Sequence, residues 1–165
     1  MIYLEVTESQ LERAQNLYPF NELKGSISKG WSNIYGAIGE VVIYDYFKNK
    51  TSVEFKSTYD YDMIIDGYKV DVKTKQTTVT PQPYYFCSIA KFNTTQDCDY
   101  YFFCRVKKDY SSAWIIGYIT PKEFYKKAVF KKKGDLDTNG WKFAGDSYHV
   151  PVSELNKFKE AKQNI

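Results

Sequence analysis

Residues Thr58 to Gln76 read T-Y-D-Y-D-M-I-I-D-G-Y-K-V-D-V-K-T-K-Q, and the dipeptide Asp66-Gly67 near their centre decides how they fold. Asp-Gly between two β-rich runs signals a two-residue type I′ hairpin turn, because both central residues must take positive φ. That turn fixes a register. Ile65 faces Tyr68, and counting outward in twos sets Asp62 opposite Asp71 and Asp60 opposite Lys73, with all four side chains on one face. The other face receives Tyr61, Met63, Ile65, Tyr68, Val70 and Val72, as a strand pair packed on a core requires. Two carboxylates directly across a ladder repel each other. A divalent cation would relieve that repulsion, and Lys73, two residues beyond Asp71, would project beside it. A plainly solvated charged face is the competing reading of the same pattern.

Upstream, Asn33 to Lys48 (N-I-Y-G-A-I-G-E-V-V-I-Y-D-Y-F-K) predicts a helix with Ser32 or Asn33 as N-cap. Its apolar positions spread around most of the surface, so it should be largely buried. Gly36 and Gly39 each cost such a helix about 1 kcal/mol relative to Ala, which points to close packing against another backbone. Glu40 emerges from an apolar neighbourhood of Gly36, Ile43 and Tyr44, where a lone carboxylate needs a partner.

In this order, Gly36, Gly39 and Glu40 on a helix, then Asp62, then Asp71-Val72-Lys73, the residues resemble the active-site signature of the PD-(D/E)XK nuclease superfamily. The resemblance covers roughly residues 33–76. It implies a restriction-endonuclease-like α/β fold, a mixed central β-sheet flanked by α-helices. It also implies a metal-dependent deoxyribonuclease, with Asp62 and Asp71 holding the metal, the Val72 carbonyl as a further ligand and Glu40 as a direct or water-mediated one. Lys73 would then orient or activate the attacking water, or offset the charge on the phosphorane. Two departures stand out: Tyr61 replaces the family's proline before the first carboxylate, and the second carboxylate is Asp71 rather than Glu. Asp60 rivals Asp62 as the first carboxylate, and only the register separates them. An oxygen-only ligand set of Glu40, Asp62 and Asp71 suits Mg²⁺ or Mn²⁺.

At 165 residues the chain is read as one domain, with its core over about 33–120, an N-terminal helix and C-terminal helical additions. Sixteen Tyr, 11 Phe and 3 Trp indicate a folded globule. A net charge of +3 does not by itself announce a nucleic-acid binder, so any basic surface must be local. Arg13 and Arg105 are the only arginines, which disfavours heavy base readout, since bidentate Arg to guanine is its commonest contact. Cys87, Cys98 and Cys104 lack C-x-x-C spacing and number three, which fits reduced thiols in a cytoplasmic setting. No signal-peptide pattern and no run of 18 apolar residues is present, so no membrane association is expected. The sole histidine, His149, leaves Ser-His-Asp catalysis and histidine-based zinc sites without support, and no phosphate-binding glycine loop occurs.

In chain order, Ile2 to Val6 predicts a strand, and Thr7 to Gln10 a capping box opening a helix that ends before Pro19. Phe20 to Trp31 reads as a loop in which Lys24, Lys29 and Trp31 could approach phosphate or a base. Beyond the hairpin, Thr77 to Pro83 should interrupt the sheet. Tyr84 to Ala90, Asp99 to Lys107 and Trp114 to Ile119 predict strands, the second of them central. Thr120-Pro121-Lys122-Glu123 predicts a capped helix to about Phe130. Gly134 to Tyr148 reads as a turn-rich hairpin or loop, Val150 to Val152 as an edge strand, and Ser153 as the cap of a last helix with Leu155 and Phe158 inward.

Lys75 and Gln76, just past the D-x-K lysine, occupy positions where relatives of the resembled family often contact phosphate. Lys126, Lys127, Lys131, Lys132 and Lys133 form the strongest basic run, suited either to tracking a nucleic-acid backbone or to a solvated helix end. The resulting expectation is a DNA endonuclease of structure-dependent or low sequence specificity, with a phage or mobile element as its setting, an exonuclease not excluded and a homodimer compatible. The rival expectation is a non-cleaving module on the same fold that binds nucleic acid or a protein.

Overall fold

Asp66 and Gly67 both take positive φ, 52° and 84°. Their turn joins β3 (Met63–Ile65) to β4 (Tyr68–Thr77), with Ile65 paired to Tyr68 and Met63 to Val70 as the dipeptide dictates. The computed structural model describes residues 1–17, 31–136, 140 and 142–158.

Around this hairpin a six-stranded mixed sheet assembles in the order β1-β7-β6-β4-β3-β2. The remaining members are β1 (Ile2–Glu5), β2 (Val53–Phe55), β6 (Tyr100–Lys107) and β7 (Ser112–Ile119). Neighbours are antiparallel except β4 and β6, which run parallel from Val70 beside Tyr100 to Thr77 beside Lys107. β6 is central, buried on both faces, as its unbroken apolar run anticipates. A second sheet of three strands has the order β5-β9-β8, from β5 (Phe86–Ala90), β8 (Val129–Lys131) and β9 (Ser147–Pro151).

The main sheet buries two separate cores. On one face α1 (Glu8–Leu17) and α2 (Trp31–Lys48) cover Val70, Val72, Phe102, Cys104, Val106 and Ile115. On the other, the second sheet and α3 (Pro121–Lys127) enclose Tyr101, Phe103, Trp114, Ile116 and Phe124. Both short helices carry the caps their sequences announce. Thr7 and Gln10 exchange side-chain to backbone hydrogen bonds at 3.2 and 3.0 Å, and Thr120 and Glu123 form a complete capping box with Pro121 at the first turn. Gly39 shows why α2 tolerates a poor helix former: a Cβ there would lie 2.0 Å from Thr74 Oγ1, so only glycine lets the helix seat on β4. Gly36 has no such neighbour, and an added Cβ would meet nothing within 4 Å.

Several expectations need correction. α2 begins at Trp31, two residues before Asn33. The strand expected from Tyr84 starts at Phe86. α3 ends at Lys127 rather than near Phe130, because Ala128 turns extended and Val129–Lys131 pairs with β9. β9 is the middle strand of the second sheet, not an edge. Val152–Glu154 makes one 3₁₀ turn where a last α-helix was expected, and Leu155 is nonetheless buried. The region 134–148 contributes a Leu136–Lys142 bridge, with 137–139 and 141 outside the described residues. The loop read over 20–31, with Lys24 and Lys29, also lies outside them, except that Trp31 opens α2. Among the described residues no helix is long and apolar enough to cross a membrane.

Candidate active site

Alternation along β4 sends Val70 and Val72 into the helical core and turns Asp71 and Lys73 to the opposite face. Asp71 is only 3% exposed. Asp62 lies one residue before β3, where its N–H donates to the Val70 carbonyl at 3.0 Å and its Oδ2 accepts the Val72 N–H at 2.7 Å. The hairpin therefore delivers both carboxylates to one place. Lys73 Nζ sits 2.6 Å from Asp71 Oδ2 and donates to Gln96 Oε1 at 3.0 Å. Gln96 in turn donates from Nε2 to Asp71 Oδ1 at 3.1 Å and to the Tyr59 carbonyl at 2.6 Å. One amide thus holds the lysine with its oxygen and the aspartate with its nitrogen.

Burial acts on both carboxylates, and each resists it differently. Asp62 is pushed up to about 7 by desolvation and then by the charge of Asp71, against the Val72 N–H and Lys73. Asp71 is also raised by burial, opposed by Lys73 and Gln96. Two buried carboxylates this close ionise together only if positive charge is supplied. Lys73 supplies one charge, 2.6 Å from Asp71 Oδ2, so a single ammonium faces two carboxylates. A hard divalent cation suits that oxygen pair, and Asp62 and Asp71 fit Mg²⁺ or Mn²⁺ by donor type.

The other sequence-derived candidates are distributed as follows. Glu40 is 7% exposed on α2, directly after the glycine that packs on Thr74. Among the described residues no three His, Cys, Asp or Glu side chains form a metal-holding group, so Glu40 is not gathered into one cage with Asp62 and Asp71. Asp60 does not stand opposite Lys73. The chain turns away before the hairpin's ladder reaches it, and its Oδ1 accepts the Asp97 N–H at 3.1 Å. Of the two rivals, Asp62 is therefore the carboxylate beside Asp71. Val72 lies between Asp71 and Lys73 on β4, its N–H taken by Asp62. Lys75 donates to Ser88 Oγ at 2.7 Å, and Gln76 is exposed further along β4. Lys127 pairs with Glu154 at 3.1 Å, and Lys126 is exposed on α3. Lys131 ends β8, with Lys132 and Lys133 just beyond it, and none of these five lysines lines the cleft beside Lys73.

That cleft, of about 400 Å³, opens between the main sheet at β4 and β6 and strand β5. Its walls hold residues that the sequence reading passed over. Arg105 stands beside Lys75 in the parallel pairing of β4 and β6. Ser88 Oγ lies 2.7 Å from His149 Nδ1. For Gln96, Ser88 and His149 no motif signal existed, because their partners are set by the second sheet and by the loop after β5. The three cysteines are free, and burial pushes the Cys87 thiol up to about 11 and those of Cys98 and Cys104 to about 12. Such thiols are poor nucleophiles at neutral pH.

Compared with known proteins, the chain matches no family model and no curated protein.

Proposed function

We propose that this protein is a metal-dependent deoxyribonuclease of the PD-(D/E)XK type, on a restriction-endonuclease-like variant of the mixed sheet. One observation carries the reading: the Asp66-Gly67 turn brings Asp62, Asp71 and Lys73 together in a buried group in which one ammonium faces two carboxylates. Asp62 and Asp71 would hold Mg²⁺ or Mn²⁺, with the Val72 carbonyl as the further ligand the resemblance implies; Glu40, outside that group, would act only through bound water. When bound, the ion would supply Lewis acidity, lowering the pKa of water and neutralising charge on the phosphate.

The chain's own residues do the rest. Lys73 carries three N–H donors, of which Asp71 and Gln96 engage two. The remaining one serves the attacking water or a phosphoryl oxygen, where charge grows in the transition state. Gln96 fixes the ammonium, so its charge is oriented before substrate arrives. Both arginines are engaged within the protein, Arg13 with Asp45 and Arg105 with the Phe86 carbonyl, which supports backbone or structure recognition over base readout.

A non-cleaving nucleic-acid-binding module is the second reading. Its support is that Lys73 already pairs with Asp71 as an internal counter-ion. Incubation with supercoiled, linear, single-stranded and branched DNA in Mg²⁺, Mn²⁺ or EDTA separates the two. Cutting that needs metal and disappears in Lys73→Ala and Asp71→Asn supports the nuclease. Salt-sensitive binding with no cutting in either metal supports the module.

A further inference from the structure

We infer that the cleft between β4, β6 and β5 is a phosphate-binding site, in which Arg105 and Lys75, the latter held in place by Ser88, bind a phosphate group of the nucleic acid next to the one that reacts at Lys73. The placement beside a reacting phosphate rests on the nuclease reading; the anion site itself does not.

Charge is the first argument. Lys73, Lys75 and Arg105 all line the cleft, and no Asp or Glu does so among the described residues. Lys75 and Arg105 are direct partners across parallel strands, so like charges sit side by side on one face. Arg105 sharpens the point. It is half-buried and makes no ion pair with a carboxylate among the described residues, its one hydrogen bond going from Nη2 to the Phe86 carbonyl at 2.8 Å. Its guanidinium lies 5.5 Å from the centre of the Tyr85 ring, a stacking that positions the fork. A guanidinium so placed, with an ammonium beside it, matches a tetrahedral oxyanion.

Hydrogen-bond direction is the second argument. Lys75 Nζ can only donate, so at 2.7 Å Ser88 Oγ accepts from it and gives its own proton to His149 Nδ1. His149 is then the neutral tautomer protonated at Nε2, which donates to Ser147 Oγ at 2.8 Å, and Ser147 passes its proton to the Gly145 carbonyl at 3.3 Å. The result is a lysine pinned at the wall of the cleft instead of wandering in solvent. Phe86, 37% exposed, supplies apolar lining, a resting surface for a sugar or base.

The test is made in EDTA, so that no cutting intervenes. Thermal unfolding is followed with inorganic phosphate against chloride at equal ionic strength, and anisotropy is measured on a short single-stranded oligonucleotide with a 5′-phosphate, a 3′-phosphate or neither. Phosphate should raise the melting temperature of the wild type and not of Arg105→Gln. The same substitution should weaken oligonucleotide binding roughly tenfold or more, and Ser88→Ala by a smaller factor. A loss matched by removing the terminal phosphate assigns the site to a strand end; a loss independent of it assigns an internal phosphodiester. If Arg105→Gln does not fold, Lys75→Gln and Ser88→Ala decide. Wild-type binding in the variants, together with no phosphate-specific stabilisation, overturns the proposal. A protein that binds phosphate here but cuts no DNA in either metal keeps this site and loses the nuclease reading.

Discussion

Asp62 Oδ2 accepts the backbone N–H of Val72, so the first carboxylate is fastened to the residue that separates Asp71 from Lys73. An asparagine at position 62 could keep that bond while removing the negative charge next to Asp71. The folded-state pKa of Asp62, about 7, lies above its ordinary 3.8. Its carboxyl therefore favours the folded state at low pH, and that contribution is lost as pH rises from about 4 through 7. In EDTA, Asp62→Asn should match the wild type near pH 4 and exceed it by on the order of 4 kcal/mol at pH 8; with Mg²⁺ present it should abolish cleavage. Melting curves across that range check it, and parallel pH profiles for the two proteins would falsify the assignment. Mg²⁺ should narrow the gap at pH 8 by stabilising only the wild type.

Lys73→Ala leaves Asp71 buried without its ammonium. Burial already raises that carboxyl, and losing Lys73 raises it further, so the penalty appears above the ordinary carboxylate range and grows with pH. The expected cost is about 3 kcal/mol at pH 8 and less at pH 5, read by urea denaturation, with cleavage abolished. An equal cost at both pH values points instead to lost packing.

Gln96→Ala should lower cleavage by roughly 10- to 100-fold, as removal of an orienting partner commonly does. Lys73 and Asp71 both remain, so some metal-dependent activity should survive, unlike in Lys73→Ala. Unchanged single-turnover rates would remove Gln96 from the site.

The hairpin, its register and the Asp62–Asp71 pair were legible because every signal for them is local: a two-residue turn, alternation by twos and a D-x-K triplet. The capping boxes at Thr7 and Thr120 were legible for the same reason. Gln96 was not, since it reaches Asp71 and Tyr59 across 25 and 37 residues. Nor was the second sheet, whose Ser88–His149 contact spans 61 residues and whose third strand, Val129–Lys131, overlaps the end of the helix expected to run to Phe130. Asp60 shows the limit of extending a register by arithmetic: the ladder stops at Met63, and a side chain beyond it answers to a different loop.

Gly39→Ala forces a Cβ to within 2.0 Å of Thr74 Oγ1, a buried hydroxyl with no hydrogen bond of its own. Overpacking should cost about 1–3 kcal/mol, partly offset by about 1 kcal/mol of helix propensity. Thr74→Ala removes the clashing oxygen, so Gly39→Ala should cost less in that background. A double-mutant cycle with no coupling would show that the helix simply shifts away.

The burial of Cys87 and Cys104 and the raised thiols of all three cysteines make folded protein slow to alkylate at pH 8. Mass spectrometry after iodoacetamide treatment should find little labelling until denaturant is added. Rapid modification of Cys98, the least buried of the three, would reveal an opening of the loop that carries Gln96.

The parallel pairing of β4 with β6 has a kinetic consequence. A hairpin closed by two residues forms in microseconds, whereas β6 can dock on β4 only after the whole of β5 and its following turn have been spanned, at the entropic cost of a long loop. Asp62, Asp71 and Lys73 should thus come together before Gln96 reaches them. On the nuclease reading, activity regained during refolding should lag behind the hairpin's amide protection, because the contact that orients Lys73 is among the last long-range ones to form.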